Sequence, residues 1–262
     1  MGYELFDLTG KVAVVTGSSR GIGRAIAERL AEHGAKVVVS SRKADACQPV
    51  ADSINANGGT AVVIPCNISY KEQLQNLVDT TTKLWGGIDI LVCNAAVNPY
   101  FGPAAGISDE AFDKIMGSNV RSNFWLSNMV CAQMAERGGG SIIIISSIGG
   151  LLGSASLGVY GLSKAADMQM ARNIAVEWGH QKIRANCIAP GLVRTDFARA
   201  LWENPETYKN FTRDAPLLRM AEPDEIAGAA VFLAAPASGF MTGQTMNIDG
   251  GVTVKIPGGE PE

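Results

Sequence analysis

The sequence predicts an α/β fold: a doubly wound, seven-stranded parallel sheet with helices on both faces, built as a single domain from residues 1–262. Two patterns carry this expectation. Seven short apolar runs recur at residues 12–15, 37–39, 61–64, 88–92, 142–145, 185–188 and 245–248. They are near-continuous rather than alternating, as strands covered on both faces are. Amphipathic stretches with readable ends separate them, so strand and helix alternate along the chain. With 47% hydrophobic and 18% charged residues, the chain has enough apolar side chain for one large core.

The elements follow in order. The first strand runs into a glycine-rich turn, after which Ile22, Ile26 and Leu30 fall on one helical face and Gly34 ends the helix. The second strand breaks into Ser40-Ser41-Arg42-Lys43. Beyond the third, Ser69-Tyr70-Lys71-Glu72 reads as a capping box, and Leu74, Leu77, Val78 and Leu84 continue at helical spacing until Gly86-Gly87. After the fourth strand, Phe112, Ile115, Met116 and Asn119 share a helical face. Residues 138–163 carry no charge over 26 positions, longer than a membrane span needs. Eight glycines among serines break any helix there, so a buried strand followed by a loop is expected. Pro223 opens a helix over 224–233 before the last strand. No linker, internal repeat or low-complexity tract interrupts the alternation.

Composition excludes several functions. A net charge of -3 gives no electrostatic case for nucleic acid or an anionic membrane as partner, so a small molecule is expected. The five cysteines, at 47, 66, 93, 131 and 187, are scattered and never paired as Cys-x2-Cys. Reduced, mostly buried thiols are expected rather than a disulfide framework or zinc site. His33 and His180 sit near helix ends, where a cation suits the dipole. Nothing resembles a metal cluster or a Gly-x-Ser-x-Gly elbow, and Ser40-x2-Lys43 lacks the companion motifs of serine chemistry. The start, MGYELFDLTG, carries no targeting pattern, and the end, Gly-Gly-Glu-Pro-Glu, is not a Ser-Lys-Leu-type signal; a cytoplasmic location is the expectation.

Directly after the first strand stands Thr16-Gly17-Ser18-Ser19-Arg20-Gly21-Ile22-Gly23. Glycines in such a turn let the backbone approach a pyrophosphate while the helix start supplies free N–H groups, although a structural turn has the same look. The spacing Thr-Gly-x3-Gly-x-Gly resembles the short-chain dehydrogenase/reductase family, a Rossmann fold. Further matches follow in order over nearly the whole chain: Asn94-Ala95-Ala96, Asn119, Ser147, Tyr160-Gly161-Leu162-Ser163-Lys164, then Pro190-Gly191 and Thr195.

Tyr160 and Lys164 lie four apart, on one helical face, a spacing also common on solvated helices. Reducing a carbonyl by hydride leaves an alkoxide that needs a proton. A phenol of ordinary acidity, with a pKa of about 10, is poorly poised for this near neutrality. A cation one turn away favours the phenolate. The resemblance makes Tyr160 the general acid/base and lets Lys164 also hold the nicotinamide ribose. It makes Ser147, 13 residues before Tyr160, the donor to the substrate oxygen. Ser146 is the competitor. Asn119 reads either as a satisfied core amide or, by the resemblance, as the holder of a water that relays protons to Lys164.

A carboxylate at the end of the second strand would grip a ribose 2′-hydroxyl and repel a 2′-phosphate. Ser41 stands there instead, followed by Arg42 and Lys43. Arg42, with Arg20 in the glycine loop, can meet a phosphate with charge-assisted bonds, so the expected cofactor is NADP(H). Arg42 and Lys43 opening a solvated helix is the plainer alternative. The resemblance assigns cofactor contacts to Gly17, Ser19, Arg20, Gly21, Ile22, Gly23, Ser41, Arg42, Lys43, Asn67, Ile68, Asn94, Ala95, Ala96, Tyr160, Lys164, Pro190, Gly191, Val193 and Thr195. Asn67 departs from it, since the family more often has Asp beside the adenine.

The implied activity is NADPH-dependent carbonyl reduction, or the reverse alcohol oxidation, in the manner of the retinol and carbonyl reductase branch. Residues 97–101 and 148–152 and the stretch with Phe197, Leu201, Trp202, Phe211 and Leu217 suggest an apolar cleft under a mobile lid at about 195–218. A 3-oxoacyl-carrier-protein reductase shares the same residues and needs a basic rim, for which Arg121, Arg172 and Arg194 are available. A non-catalytic NADP-binding sensor or scaffold is the reading of another class. The family commonly forms homodimers or homotetramers through the helices bearing Asn119 and Tyr160, and Ala165, Ala171 and Ala175 would permit close packing.

Overall fold

The computed structural model, described over residues 4–255, turns each of the seven apolar runs into a strand. These are β1 (Val12–Thr16), β2 (Lys36–Ser40), β3 (Thr60–Val63), β4 (Ile90–Cys93), β5 (Gly140–Ile145), β6 (Ile183–Pro190) and β7 (Thr245–Ile248). They form one sheet in the order β3-β2-β1-β4-β5-β6-β7, with every pairing parallel. The helices are α1 (Gly21–Glu32), α2 (Ala44–Ala56), α3 (Lys71–Trp85), α4 (Asp109–Met116), α5 (Ser122–Glu136), α6 (Gly158–Trp178), α7 (Arg199–Trp202), α8 (Pro205–Thr212) and α9 (Pro223–Ala234). The chain-end Gly-Gly-Glu-Pro-Glu segment and the side chain of Phe211 lie outside the described residues.

Alternate strand residues feed two cores, which is why the runs do not alternate in sequence. Ala13, Val15, Val37, Val39 and Val92 pack with α1, α2 and α9 on one face. Val14, Val38, Leu91, Ile142 and Ile144 pack with α3, α5 and α6 on the other. All five cysteines are free and buried.

Helix ends follow local chemistry, with one exception. Gly34 (φ +97°) and Gly86 (φ +85°) take left-handed conformations that other residues adopt only with strain, and they follow α1 and α3 as expected. Pro223 opens α9, where the Glu225 carboxylate accepts the Glu222 N–H at 2.8 Å. The capping box at α3 does not form. The residue before the helix is Tyr70, which makes no side-chain cap. Ser69 instead meets the Ser118 hydroxyl at 3.4 Å, and the Gln73 amide oxygen accepts the Asn67 N–H at 2.8 Å. Leu84 keeps the helical spacing but is 51% exposed; Thr81 is the buried residue near that end of α3.

Asp89 sets the register at the foot of the sheet. Its carboxylate accepts the buried Val12 N–H at 2.9 Å and is gripped by the Arg137 guanidinium at 3.0 and 3.1 Å. Asp89→Ala orphans that N–H and is expected to cost about 1.5 to 3 kcal/mol, the scale of a hydrogen bond to a charged group. A urea midpoint unchanged in the variant would contradict this role.

Candidate active site

The glycine turn between β1 and α1 is held by hydrogen bonds from the neighbouring strand ends. The Thr16 hydroxyl accepts the Asn94 and Ala95 N–H groups at 3.0 and 3.1 Å. The Asn94 amide donates to the Thr16 and Gly17 carbonyls at 2.9 and 3.2 Å, and Ser18 ties the turn to the Ser40 N–H at 2.8 Å. Asn94 therefore builds the loop with its side chain. A Cβ on Gly23 would collide with the Asn94 amide nitrogen and the Gly17 carbonyl, so only glycine fits. No side chain caps the start of α1. Its first-turn N–H groups and dipole offer an anion site that fits the pyrophosphate of a dinucleotide.

The β6–β7 end closes over this turn. Gly191 abuts Asp249, where a Cβ would meet Cα at 2.9 Å, and Pro190 ends β6. Val193 is buried and bridges Ala221. The Thr195 methyl lies 3.3 Å from the Cβ position of Gly21, and its carbonyl accepts the Trp202 indole N–H at 3.0 Å.

At the end of β2, the Ser41 hydroxyl reaches the Lys43 carbonyl at 3.4 Å and the Cys47 thiol at 3.1 Å. Arg42 and Lys43 are exposed, and neither joins an ion pair among the described residues. They remain available to an anion. Arg20 differs: its guanidinium lies 3.3 Å from Asp196 at the start of the 195–218 segment, and Arg199 takes the other Asp196 oxygen. The Asn67 side-chain amide oxygen accepts the Ser69 N–H, and Ile68 packs against the second core. Ser19, Ile22 and Ala96 are partly buried along the same edge of the sheet.

The catalytic candidates meet where β5 hands over to α6. Ser146 is buried, with its hydroxyl donating to the Lys164 carbonyl at 2.8 Å. Ser147 stands at the start of the following turn, its Oγ accepting the Gly149 N–H at 3.1 Å. A Cβ on Gly149 would lie 3.5 Å from Ser147 Oγ and 3.9 Å from the Tyr160 ring, so both groups border one small space. The ring of Tyr160 packs 6.3 Å from that of Phe197, and Lys164 Nζ sits 5.7 Å from its centroid. A narrow crevice, too tight for more than a water molecule, continues from Tyr160 past Asn98, Tyr100 and Ile115. The spacing-based choice of Ser147 over Ser146 has a direct test. Ser147→Ala is expected to lose about 10²- to 10³-fold in turnover. Ser146→Ala is expected to cost about 1 kcal/mol of stability with turnover nearly intact. Steady-state rates and melting midpoints of both variants separate the roles, and the reverse pattern would exchange them.

Lys164 is only 2% exposed, and its ammonium donates to the Ile145 carbonyl at 2.8 Å and to Asp167 Oδ2 at 3.1 Å. Burial pulls its pKa down, but the facing Asp167 carboxylate and the neighbouring phenol outweigh that and hold it above the ordinary lysine value. Asn119 lies in a single π turn, Gly117–Arg121, between α4 and α5. Its side chain is fully satisfied by the Val97 N–H (2.9 Å), the Val97 carbonyl (3.0 Å) and the Ser163 hydroxyl (3.1 Å). Its amide thus fixes residue 97 and α6. Asp167 is the residue that sequence reasoning missed, although Lys-x2-Asp at helical spacing was visible.

Residues 17–253 match the family model described as enoyl-(acyl carrier protein) reductase. Dehydrogenase/reductase SDR family member 4 of Bos taurus is 42% identical over 93% of this chain and 88% of the relative. The chain belongs to the short-chain dehydrogenase/reductase family. A tropinone reductase homolog of Arabidopsis thaliana is 38% identical, covering 95% of this chain and 94% of that protein. Among solved members of the family, a gluconate 5-dehydrogenase from Burkholderia cenocepacia in complex with NADP and tartrate superposes with a TM-score of 0.93 at 31% identity, covering 98% and 100% of the two chains. A 7α-hydroxysteroid dehydrogenase complexed with NADH and 7-oxo glycochenodeoxycholic acid superposes with a TM-score of 0.92 at 36% identity, covering 96% and 97%. Both NADP and NADH thus occur in complexes of these relatives.

Proposed function

We propose that this oxidoreductase transfers hydride between NADP(H) and the carbonyl or secondary alcohol of an apolar small molecule, with Tyr160 as general acid/base. The observation that carries this reading is the shared space of Ser147 Oγ and the Tyr160 ring, backed by the buried Lys164 ammonium. When bound, the cofactor supplies the hydride. Ser147 holds the carbonyl oxygen, Tyr160 gives that oxygen its proton, and Lys164 keeps the phenol poised and meets the ribose. The NADP-bound relative, together with Ser41, Arg42 and Lys43 in place of an acid, supports the phosphorylated cofactor.

Phe101, Leu151, Leu152, Phe197, Leu217 and Leu218 are each at least 46% exposed. We assign them to the apolar rim of the cleft, with residues 195–218 as its lid. The carrier-protein reading is less well supported. Arg194 pairs with Glu222 at 3.0 Å and stacks on Trp202, while Arg172 is turned to Gln169. Arg121 lies over the Trp125 ring, and of the three arginines only Arg194 is paired with a carboxylate among the described residues. NADPH oxidation over a panel of ketones, aldehydes and an acetoacetyl thioester decides between the readings. Preference for an apolar ketone supports ours, whereas a thioester favoured by orders of magnitude, or no turnover at all, contradicts it.

Self-association belongs to the same proposal. Ala171 packs in the core and Ala175 is buried, which leaves the partly buried Ala165 as the small residue of the three nearest the surface. Phe124, Leu162 and Val176, 55%, 60% and 85% exposed on α5 and α6, are the apolar residues that a second copy would cover. Across the described residues, no helix is long and apolar enough to cross a membrane.

A further inference from the structure

We propose that Asp167 is a positioning residue: its carboxylate pins the Lys164 ammonium and, as a fixed counter-charge, raises the pH at which Tyr160 and Lys164 together release the catalytic proton. This rests on the function assigned above to Tyr160. Asp167 is wholly buried on the sheet side of α6, three residues beyond Lys164. Oδ2 accepts from Lys164 Nζ at 3.1 Å, and Oδ1 accepts from the Asn123 amide at 3.0 Å. The same Asn123 amide donates to the Asn119 carbonyl at 2.7 Å. A continuous chain of protein hydrogen bonds therefore joins the π turn to the ammonium behind the tyrosine ring.

The charges around the carboxylate are few. On α6 there are Lys164 and, beyond it, Tyr160; Arg172, exposed further along that helix, acts on Cys187. From β4 comes Cys93, from β6 Cys187, whose thiol reaches the Asp167 carbonyl at 3.4 Å, and from α5 only the neutral Asn123. Burial pushes the Cys93 thiol up to about 12 and Cys187 higher, so both are uncharged at working pH. Burial raises the Asp167 carboxyl above the ordinary carboxylate value, while the Lys164 ammonium and the Asn123 amide, both in direct contact, favour its ionised form; within the ion pair it is the anion that answers Lys164. A buried ion pair gains little net stability over apolar side chains of similar size, because desolvation offsets its attraction. The consequence falls on the site instead. A negative charge beside the Tyr160–Lys164 pair makes the pair hold its first proton to higher pH, whichever member releases it. Removing that charge lowers the midpoint.

The test compares pH profiles of kcat/KM for alcohol oxidation in wild type and Asp167→Asn, using the alcohol formed from the preferred carbonyl of the panel. Asn keeps an oxygen for the ammonium and removes the charge. The expected result is a midpoint about one unit lower, by loss of a neighbouring charge, with NADPH affinity within about threefold. Asp167→Glu should return the midpoint toward wild type. Asp167→Ala carries the same expected downward shift and serves if the Asn variant does not fold. A midpoint that stays in place or moves upward in a folded, NADPH-binding variant overturns the proposal, as does a loss of rate equal at every pH, which a purely structural role would give. A wild type that oxidises no alcohol sinks the functional reading instead.

Discussion

Tyr160→Phe is expected to bind NADPH like the wild type and to reduce carbonyls about 10²- to 10⁴-fold more slowly, the range for removal of a general acid. The ring that packs against Phe197 and lies over Lys164 remains in the variant. Only the oxygen that carries the proton is gone, so stability and cofactor affinity should be spared. Each tenfold in rate corresponds to about 1.4 kcal/mol of barrier. Turnover above about a tenth of wild type would leave less than that for the phenol to supply, and Tyr160 would not be the general acid.

The second large effect concerns cofactor choice. Arg42→Ala is expected to weaken NADPH binding about 10- to 150-fold, the loss of a hydrogen bond to a charged group, and to leave NADH almost unaffected. Arg42 joins no ion pair among the described residues, so a cofactor-specific loss is distinguishable from unfolding. Ser41→Asp should go further. Its carboxylate would repel the 2′-phosphate and offer the ribose hydroxyls a partner, turning the preference toward NADH. Titration of both cofactors against both variants reads this directly. Equal losses for NADH and NADPH in Arg42→Ala would mean that the cation serves the fold or the adenine.

How far the sequence revealed the site depended on where each side chain finds its partner. The strands were legible because burial on both faces leaves an unbroken apolar run, as in Ile142, Ile143 and Ile144. The nearness of Ser147, Tyr160 and Lys164 was legible through one spacing shared by a turn and the helix after it. The failures lie where a distant contact competes with a local rule. Ser69 satisfied the pattern of a cap, but Ser118 lies across from it. Arg20 looked free for a phosphate, yet Asp196, 176 residues away, folds back to meet it. Asn119 finds Val97 only because the loop after β4 runs over the π turn. Asp167 was passed over because charges on a helix are usually solvated, and no local feature announced that this one faces inward.

In the proposed reaction, hydride passes from the nicotinamide to a carbonyl carbon while Tyr160 supplies the proton. NADPH carrying deuterium on the transferable face of the nicotinamide, incubated with the preferred panel carbonyl and followed by mass spectrometry of the product, measures this directly. The expected result is one deuterium on the carbinol carbon of the alcohol formed by wild type, and almost no labelled alcohol from Tyr160→Phe at equal cofactor occupancy. Unlabelled alcohol, or label formed at comparable rates by the two proteins, would contradict it.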